Sequence, residues 1–140
     1  MRVSEIMTKA PVTLSPAASA DEVANIMRDK GISSVILVTN GKPVGIVTER
    51  DLVHRVLAPG KDPKRLMAAD ISTKPVIVVS LKCEVEDAVD TMHRHKIRRL
   101  VVLDGNDHVA GILTTDDIGY NLKSMSEELA ARYLNLAKRE

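Results

Sequence analysis

Gly45-Ile46-Val47-Thr48-Glu49-Arg50-Asp51-Leu52 returns further along the chain as Gly111-Ile112-Leu113-Thr114-Thr115-Asp116-Asp117-Ile118. In both copies a glycine and two aliphatic residues lead to a threonine, an aspartate follows three positions on, and an aliphatic side chain closes the stretch. Self-similarity at such a spacing marks a duplicated supersecondary unit whose apolar face needs a second copy to cover it. The duplication sets the architecture, and whatever site the motif builds is built twice.

The flanks repeat as well. The first unit opens with Val3-Ser4-Glu5-Ile6-Met7-Thr8-Lys9-Ala10-Pro11-Val12 and the second with Ala68-Ala69-Asp70-Ile71-Ser72-Thr73-Lys74-Pro75-Val76. Each opening leads into a short extended stretch, residues 12–14 and 76–79, and the proline just before it favours extended backbone. A helix follows. Ser19 and Glu22 have capping-box spacing, Ala20, Val23, Ala24 and Met27 form an apolar face, and Gly31 is a stop. Val85, Ala88, Val89 and Met92 repeat that face. Glu84 stands where a serine cap would, which predicts a start that frays more.

Buried strands are predicted over 35–38 and 100–103. The turns Asn40-Gly41 and Asp104-Gly105-Asn106-Asp107 connect them to strands over 44–47 and 109–113 that run into the motif. The motif opens a second helix, apolar at Leu52, Val53, Val56 and Leu57 in one unit and at Ile118 and Leu122 in the other. A breaker-rich stretch, Pro59-Gly60-Lys61-Asp62-Pro63, reads as the linker. A last helix is predicted over 125–138, with Ser124 and Glu127 as its capping box and Leu129, Tyr133 and Leu136 on one side, packed on its own domain or on a partner. The expected organisation is a first unit over 1–58, a linker over 59–67, a second unit over 68–122 and a C-terminal helix over 123–140. Each unit reads strand, helix, strand, strand, helix. The fold class is α+β, two units packed sheet to sheet about a pseudo-twofold axis.

Composition narrows the function classes. A chain of 140 residues buries about 70% of the surface it exposes when unfolded, enough for a core. Its 44% hydrophobic and 28% charged residues are ordinary for a globular protein. A net charge of +1 gives no bulk pull toward nucleic acid or anionic membrane. The single cysteine, Cys83, permits neither an intrachain disulfide nor a cysteine zinc site. No basic-then-apolar leader is read at the start, and no apolar run approaches the roughly 18–20 residues of a membrane span. With Trp and Phe absent, the core falls to Val, Ile, Leu, Met and Ala. The expectation is a soluble protein of a reducing cytoplasm.

The Thr-x-x-Asp spacing allows two readings. In one, the threonine caps a helix and the acid at its third position returns the bond, satisfying free backbone donors at the positive end of the dipole. In the other, the same helix start favours a phosphate, the threonine hydroxyl donates to a ribose or phosphate oxygen, and the carboxylate accepts both hydroxyls of a ribose diol. Such charge-assisted bonds are each worth about 1.5–3 kcal/mol. The glycine ahead of the strand would then let backbone approach a flat base.

On the two Gly-x-x-Thr-x-x-Asp motifs, the Thr-x-Pro-Val-like openings (Thr8 to Val12 and Thr73 to Val76) and the matching helix and strand order, residues 1–122 resemble the cystathionine-β-synthase (CBS) domain family, as a tandem pair. The resemblance implies an adenosine compound (AMP, ADP, ATP or S-adenosylmethionine) in clefts between paired repeats, held as a regulatory ligand and not as a catalytic cofactor. It also implies that each cleft borrows from both repeats. Thr48 and Asp51 would work with Thr73, Lys74, Pro75, Val76, Arg98 and Arg99. Thr114 and Asp117 would work with Thr8, Lys9, Pro11, Val12, Ser33 and Ser34.

Arg98 and Arg99 stand where the first unit has its two serines, Arg50 stands where the second has Asp116, and arginine holds phosphate bidentately. The cleft carrying Arg98 and Arg99 is therefore expected to favour phosphorylated ligands, and the other a less charged adenosine compound or none. Ser72, standing where the first unit has Met7, is expected to alter the base pocket beside Thr73. The family likeness further implies a flat homodimer formed through exposed helices. With no effector domain in the sequence, the output is expected to pass to a separate, unidentified protein.

Other function classes find less support. Neither a Gly-x-Gly-x-x-Gly fingerprint nor a phosphate-loop motif is present, and Cys83 lacks a partner set, so no enzyme is expected. His93 and His95 point to different faces of a predicted helix, and with His54 and His108 they make no metal-ligand spacing. The basic run His93-Arg94-His95-Lys96-Ile97-Arg98-Arg99 comes with no helix-turn-helix segment and no interleaved aromatics, so nucleic acid is not the expected partner. The remaining alternative is a ligand-free protein-interaction scaffold that keeps the caps alone.

Overall fold

Val35 and Leu37 turn one way and Ile36 the other, and that period of two decides the layering. Val35 and Leu37 join Ala20, Val23, Met27 and Val47 in one core. Ile36 meets Val101 and Ile112 in another. Leu100 and Val102, flanking Val101, turn to a third core with Val85, Ala88 and Met92. Two sheets therefore face each other across Ile36, Val101 and Ile112, and each carries helices on its outer face.

The computed structural model describes residues 1–138. In chain order the first half holds α1 (Val3–Ile6), β1 (Thr8–Lys9), β2 (Thr13–Leu14), α2 (Ala20–Lys30), β3 (Ser34–Thr39), β4 (Lys42–Thr48) and α3 (Glu49–Leu52). The second half holds α4 (Ala68–Ile71), β5 (Val78–Ser80), α5 (Val85–His95), β6 (Arg99–Leu103), β7 (Val109–Thr114) and α6 (Thr115–Lys138). One sheet has the order β2-β3-β4 and the other β1-β7-β6-β5. β2 runs parallel to β3, as β5 does to β6, while β3–β4 and β6–β7 are antiparallel. Both hairpins break register at the same place, between Leu37 and Val38 and between Val102 and Leu103. The duplication extends to its bulges. In the first hairpin Asn40 and Gly41 both take positive φ, 54° and 78°, as a two-residue turn matched to strand twist requires.

The openings do not pack on their own units. Val3 and Ile6 are buried with Val85, Ala88, Leu100 and Leu113, whereas Ala68 and Ile71 are buried with Val23, Met27 and Val35. β1 pairs with β7, Thr8 opposite Ile112. Thr73 makes the matching bridge to Ile46, its N–H donating over 2.8 Å and its carbonyl accepting over 3.3 Å. The first turns of α5 and α2 hold the ends of these segments, Val85 N–H donating to Met1 O and Ala20 N–H to Leu66 O, both at 2.9 Å. Each folded unit thus takes its opening from the other copy.

Caps follow the sequence in part. Ser19 Oγ accepts from Glu22 N–H at 3.1 Å, and Gly31 stops α2 at φ 63°. Glu84 gives α5 no side-chain cap, and its carboxylate instead lies 3.1 Å from the Met1 ammonium. After α3 the helix widens into a π-helical turn over Val53–Leu57, with Ala58 N–H donating to Val53 O at 2.9 Å. That extra residue per turn rotates the apolar face. Val56 is buried and Leu52 partly so, but Val53 and Leu57 are 48% and 74% exposed. The separate last helix starting near Met125 is corrected: α6 runs unbroken from Thr115. No proline interrupts it, and Gly119 costs only about 1 kcal/mol relative to alanine, so the chain has no reason to stop and restart at Ser124. The side chains of Leu129, Tyr133 and Leu136 lie outside the described residues.

Candidate functional site

Thr48 ends β4 and caps α3. Its Oγ1 accepts from Asp51 N–H at 3.3 Å, and Asp51 Oδ2 accepts from Thr48 N–H at 2.9 Å. Thr114 and Asp117 repeat the box at 3.2 and 2.9 Å. The capping reading is therefore realised at both motifs. Each carboxylate keeps a second oxygen, and the exchanged openings meet it there. Thr73 Oγ1 donates to Asp51 Oδ1, and Thr8 Oγ1 to Asp117 Oδ1, both at 3.2 Å.

The two constructions differ one turn on. Arg55 Nε lies 3.6 Å from Asp51 Oδ1, and its Nη1 donates to Ser72 O at 2.9 Å. At the corresponding place Asn121 Nδ2 donates to the backbone oxygen of Asp117 at 2.7 Å. Asp51 is buried and Asp117 half-buried. Arg55 escaped the sequence reading, although its position four residues after Asp51 on a helix is the signal that could have found it.

Two clefts open where the sheets meet. The larger, about 580 Å³, is lined by Thr48, Thr73, Pro75, Val76, Arg98 and Arg99, with apolar walls from Ile46, Ile77 and Val101. Arg50 also lines it, as does Lys96, which sequence reasoning did not assign to it. The smaller, about 340 Å³, is lined by Thr8, Pro11, Val12, Ser33, Ser34 and Thr114. Asp51 and Asp117 stand behind the lining threonines to which they bond, and Lys9 and Lys74 are exposed and line neither cleft.

Three further expectations change. Arg99 does not belong to one cleft: it lines both, as does Ser33, to whose Oγ its Nη2 donates at 2.7 Å. Arg98 precedes β6 and lines the larger cleft alone, whereas Arg99 opens the strand in register with Thr114 and reaches both. The motif glycines make room for the exchanged openings and not for a base. A Cβ on Gly45 would stand 2.7 Å from Ser72 Oγ, and one on Gly111 2.5 Å from Met7 Sδ. Ser72 itself is buried, donates to Ala69 O at 3.1 Å and lines neither cleft.

Elsewhere, burial pushes the Cys83 thiol up, and Asp87 and Glu84 push it further, which keeps it protonated and a poor nucleophile. His54, His93, His95 and His108 are exposed. Among the described residues no group of three or more His, Cys, Asp or Glu converges to hold a metal, and no helix is long and apolar enough to cross a membrane.

The CBS domain family model matches residues 3–58 and 68–122. An uncharacterized protein of Methanopyrus kandleri, MK0525, is 41% identical over 132 residues, which span 91% of this chain and 67% of that one. Among solved structures, the CBS domain protein PAE2072 from Pyrobaculum aerophilum, complexed with AMP, superposes with a TM-score of 0.82 at 30% identity, covering 94% of this chain and 99% of that chain. The CBS domain pair of protein MJ0100, in complex with 5-methylthioadenosine and S-adenosylmethionine, gives a TM-score of 0.79 at 28% identity over 89% of this chain and 98% of that one. The chain also matches inosine-5′-monophosphate dehydrogenases, of which it spans 24% of the length. With both of its repeats matched, the chain belongs to the CBS-domain family, as a tandem pair.

Proposed function

We propose that this chain is a regulatory module that binds adenosine compounds in its two clefts and passes their occupancy to a partner protein. The observation that carries this reading is the doubled Thr–Asp construction. Each aspartate caps its own helix with one oxygen and turns the other to a threonine hydroxyl on the opposite wall. A ribose diol can take the place of that threonine as donor without undoing the cap. The apolar walls suit a base, and Arg50, Lys96 and Arg98 at the larger cleft suit phosphates. AMP, ADP or ATP is the ligand proposed for the larger cleft, and a less charged adenosine compound for the smaller. The complexes of the two related CBS proteins support the ligand class.

A ligand that binds one arrangement of the units better than another shifts the population toward it, which is the proposed output. The work is regulatory and not catalytic, and it is placed in the cytoplasm. Leu57 and Tyr120, exposed on the helical segments that follow the motifs, offer a second copy an apolar surface for the proposed homodimer. One observation favours a second reading, that of a ligand-free scaffold: both carboxylates are already satisfied by their own main chain and the facing threonines.

Asp51→Asn and Asp117→Asn decide between the readings. Each keeps a capping oxygen but places a donor where ribose hydroxyls need an acceptor. Calorimetric titration with AMP is expected to show a loss of roughly 10–100-fold at the altered cleft, the value of one or two charge-assisted bonds. The larger effect on AMP is expected from Asp51→Asn, and equal losses contradict the difference between clefts. A thermal-shift panel of AMP, ADP, ATP and S-adenosylmethionine should show about 2.7 kcal/mol of added stability at 100 times Kd. Silence across that panel leaves the scaffold.

A further inference from the structure

We infer that Arg99 couples the two clefts, so that a phosphorylated ligand in one weakens the binding of a second in the other. This rests on the adenosine-ligand reading. Arg99, Ser33 and Glu49 line both clefts, and the half-buried Arg99 guanidinium is fixed in their common wall by the 2.7 Å bond from Nη2 to Ser33 Oγ. In the larger cleft Arg99 is one of several cations, with Arg50, Lys96 and Arg98. Among the described residues that line the smaller cleft it is the one cation, and Glu49 is the one acid.

A guanidinium is a planar fork that engages one phosphate bidentately. Once turned to a phosphate in the larger cleft, Arg99 leaves Ser33, and the smaller cleft presents an arriving phosphate with Glu49 alone. An uncharged ligand draws Arg99 nowhere. The coupling therefore follows the phosphate and not the nucleoside.

The test compares the affinity of the smaller cleft for AMP measured alone, in Asp51→Asn, with its affinity as the second event in the unsubstituted chain, both by calorimetry at low salt. The second event is expected to be weaker by about fivefold or more, within the usual range of allosteric coupling. Adenosine is expected to give a ratio near 1. Placing Arg99→Gln in both backgrounds is expected to return the AMP ratio to near 1, even though every AMP affinity falls. Reciprocity requires the same ratio for the larger cleft, read with Asp117→Asn. Binding of a single AMP to the unsubstituted chain, with the smaller cleft filling in Asp51→Asn, is the same coupling at its limit. A ratio of 1 for AMP, a ratio that survives Arg99→Gln, or a smaller cleft that takes no AMP in Asp51→Asn overturns the coupling while leaving adenosine binding intact. AMP and adenosine that bind nowhere overturn the ligand reading itself.

Discussion

A methyl group on Gly111 would stand 2.5 Å from Met7 Sδ and 2.8 Å from the carbonyl oxygen of Thr8, and one on Gly45 2.7 Å from Ser72 Oγ. The two motif glycines meet different obstacles, and that difference is measurable. Met7 can swing its thioether aside, but Thr8 O belongs to a backbone held in the sheet by β1–β7 pairing. Ser72 is a short side chain whose hydroxyl can be removed. Gly111→Ala is therefore expected to destabilise by about 1–3 kcal/mol, the usual range for overpacking, and no substitution of Met7 should restore it fully. Gly45→Ala is expected to fall in the same range and to be relieved in part by Ser72→Ala. Urea unfolding of the two single variants and the double variant gives the coupling directly. If Ser72→Ala brings no relief, the contact drawn between Gly45 and the exchanged opening is wrong.

At the scale of elements, what was legible in the sequence was local. The strand over 35–38, the Ser19 cap, the Gly31 stop, the Asn40-Gly41 turn and the Thr–Asp boxes each depend on residues a few positions apart, and all are present. The cap makes a direct prediction. Ser19→Ala should cost about 1 kcal/mol by removing the acceptor for Glu22 N–H, whereas Glu84→Ala removes no side-chain cap from α5. Thermal unfolding of Ser19→Ala tests the cap, and a variant as stable as the unsubstituted chain would show that the Ser19 bond adds nothing to its helix. What was not legible is what depends on distant partners. The π-helical turn over Val53–Leu57 hides which side of the helix faces inward. The unbroken α6 shows that a capping box in mid-sequence is silent when the helix has already begun upstream. Arg99 was read as a member of one cleft because a linear repeat cannot show that its side chain stands in a wall between two.

At the scale of the molecule, the exchange of openings is the feature that no repeat pattern reveals, because each opening is equivalent by sequence to the one it replaces. It is also what makes the site. Thr73 reaches Asp51, and Thr8 reaches Asp117, only because each opening crosses to the other copy. The tandem pair is then one cooperative body, in which damage to one end of the sequence is felt in the other half. Ile6 and Ile71 test this without touching a cleft. Ile6, 8% exposed, packs in the core of α5, β6 and β7, and Ile71, 2% exposed, in the core of α2, β3 and β4. Either isoleucine changed to alanine should cost about 2–5 kcal/mol, the usual range for a large-to-small change in a core. Local opening, where it precedes global unfolding, follows the packing and not the sequence. Amide exchange in Ile6→Ala should therefore accelerate first in α5 and β6, and in Ile71→Ala first in α2 and β3. Acceleration confined to α2 and β3 in Ile6→Ala would mean that each repeat folds on its own opening, and the crossing that assembles both clefts would have to be abandoned.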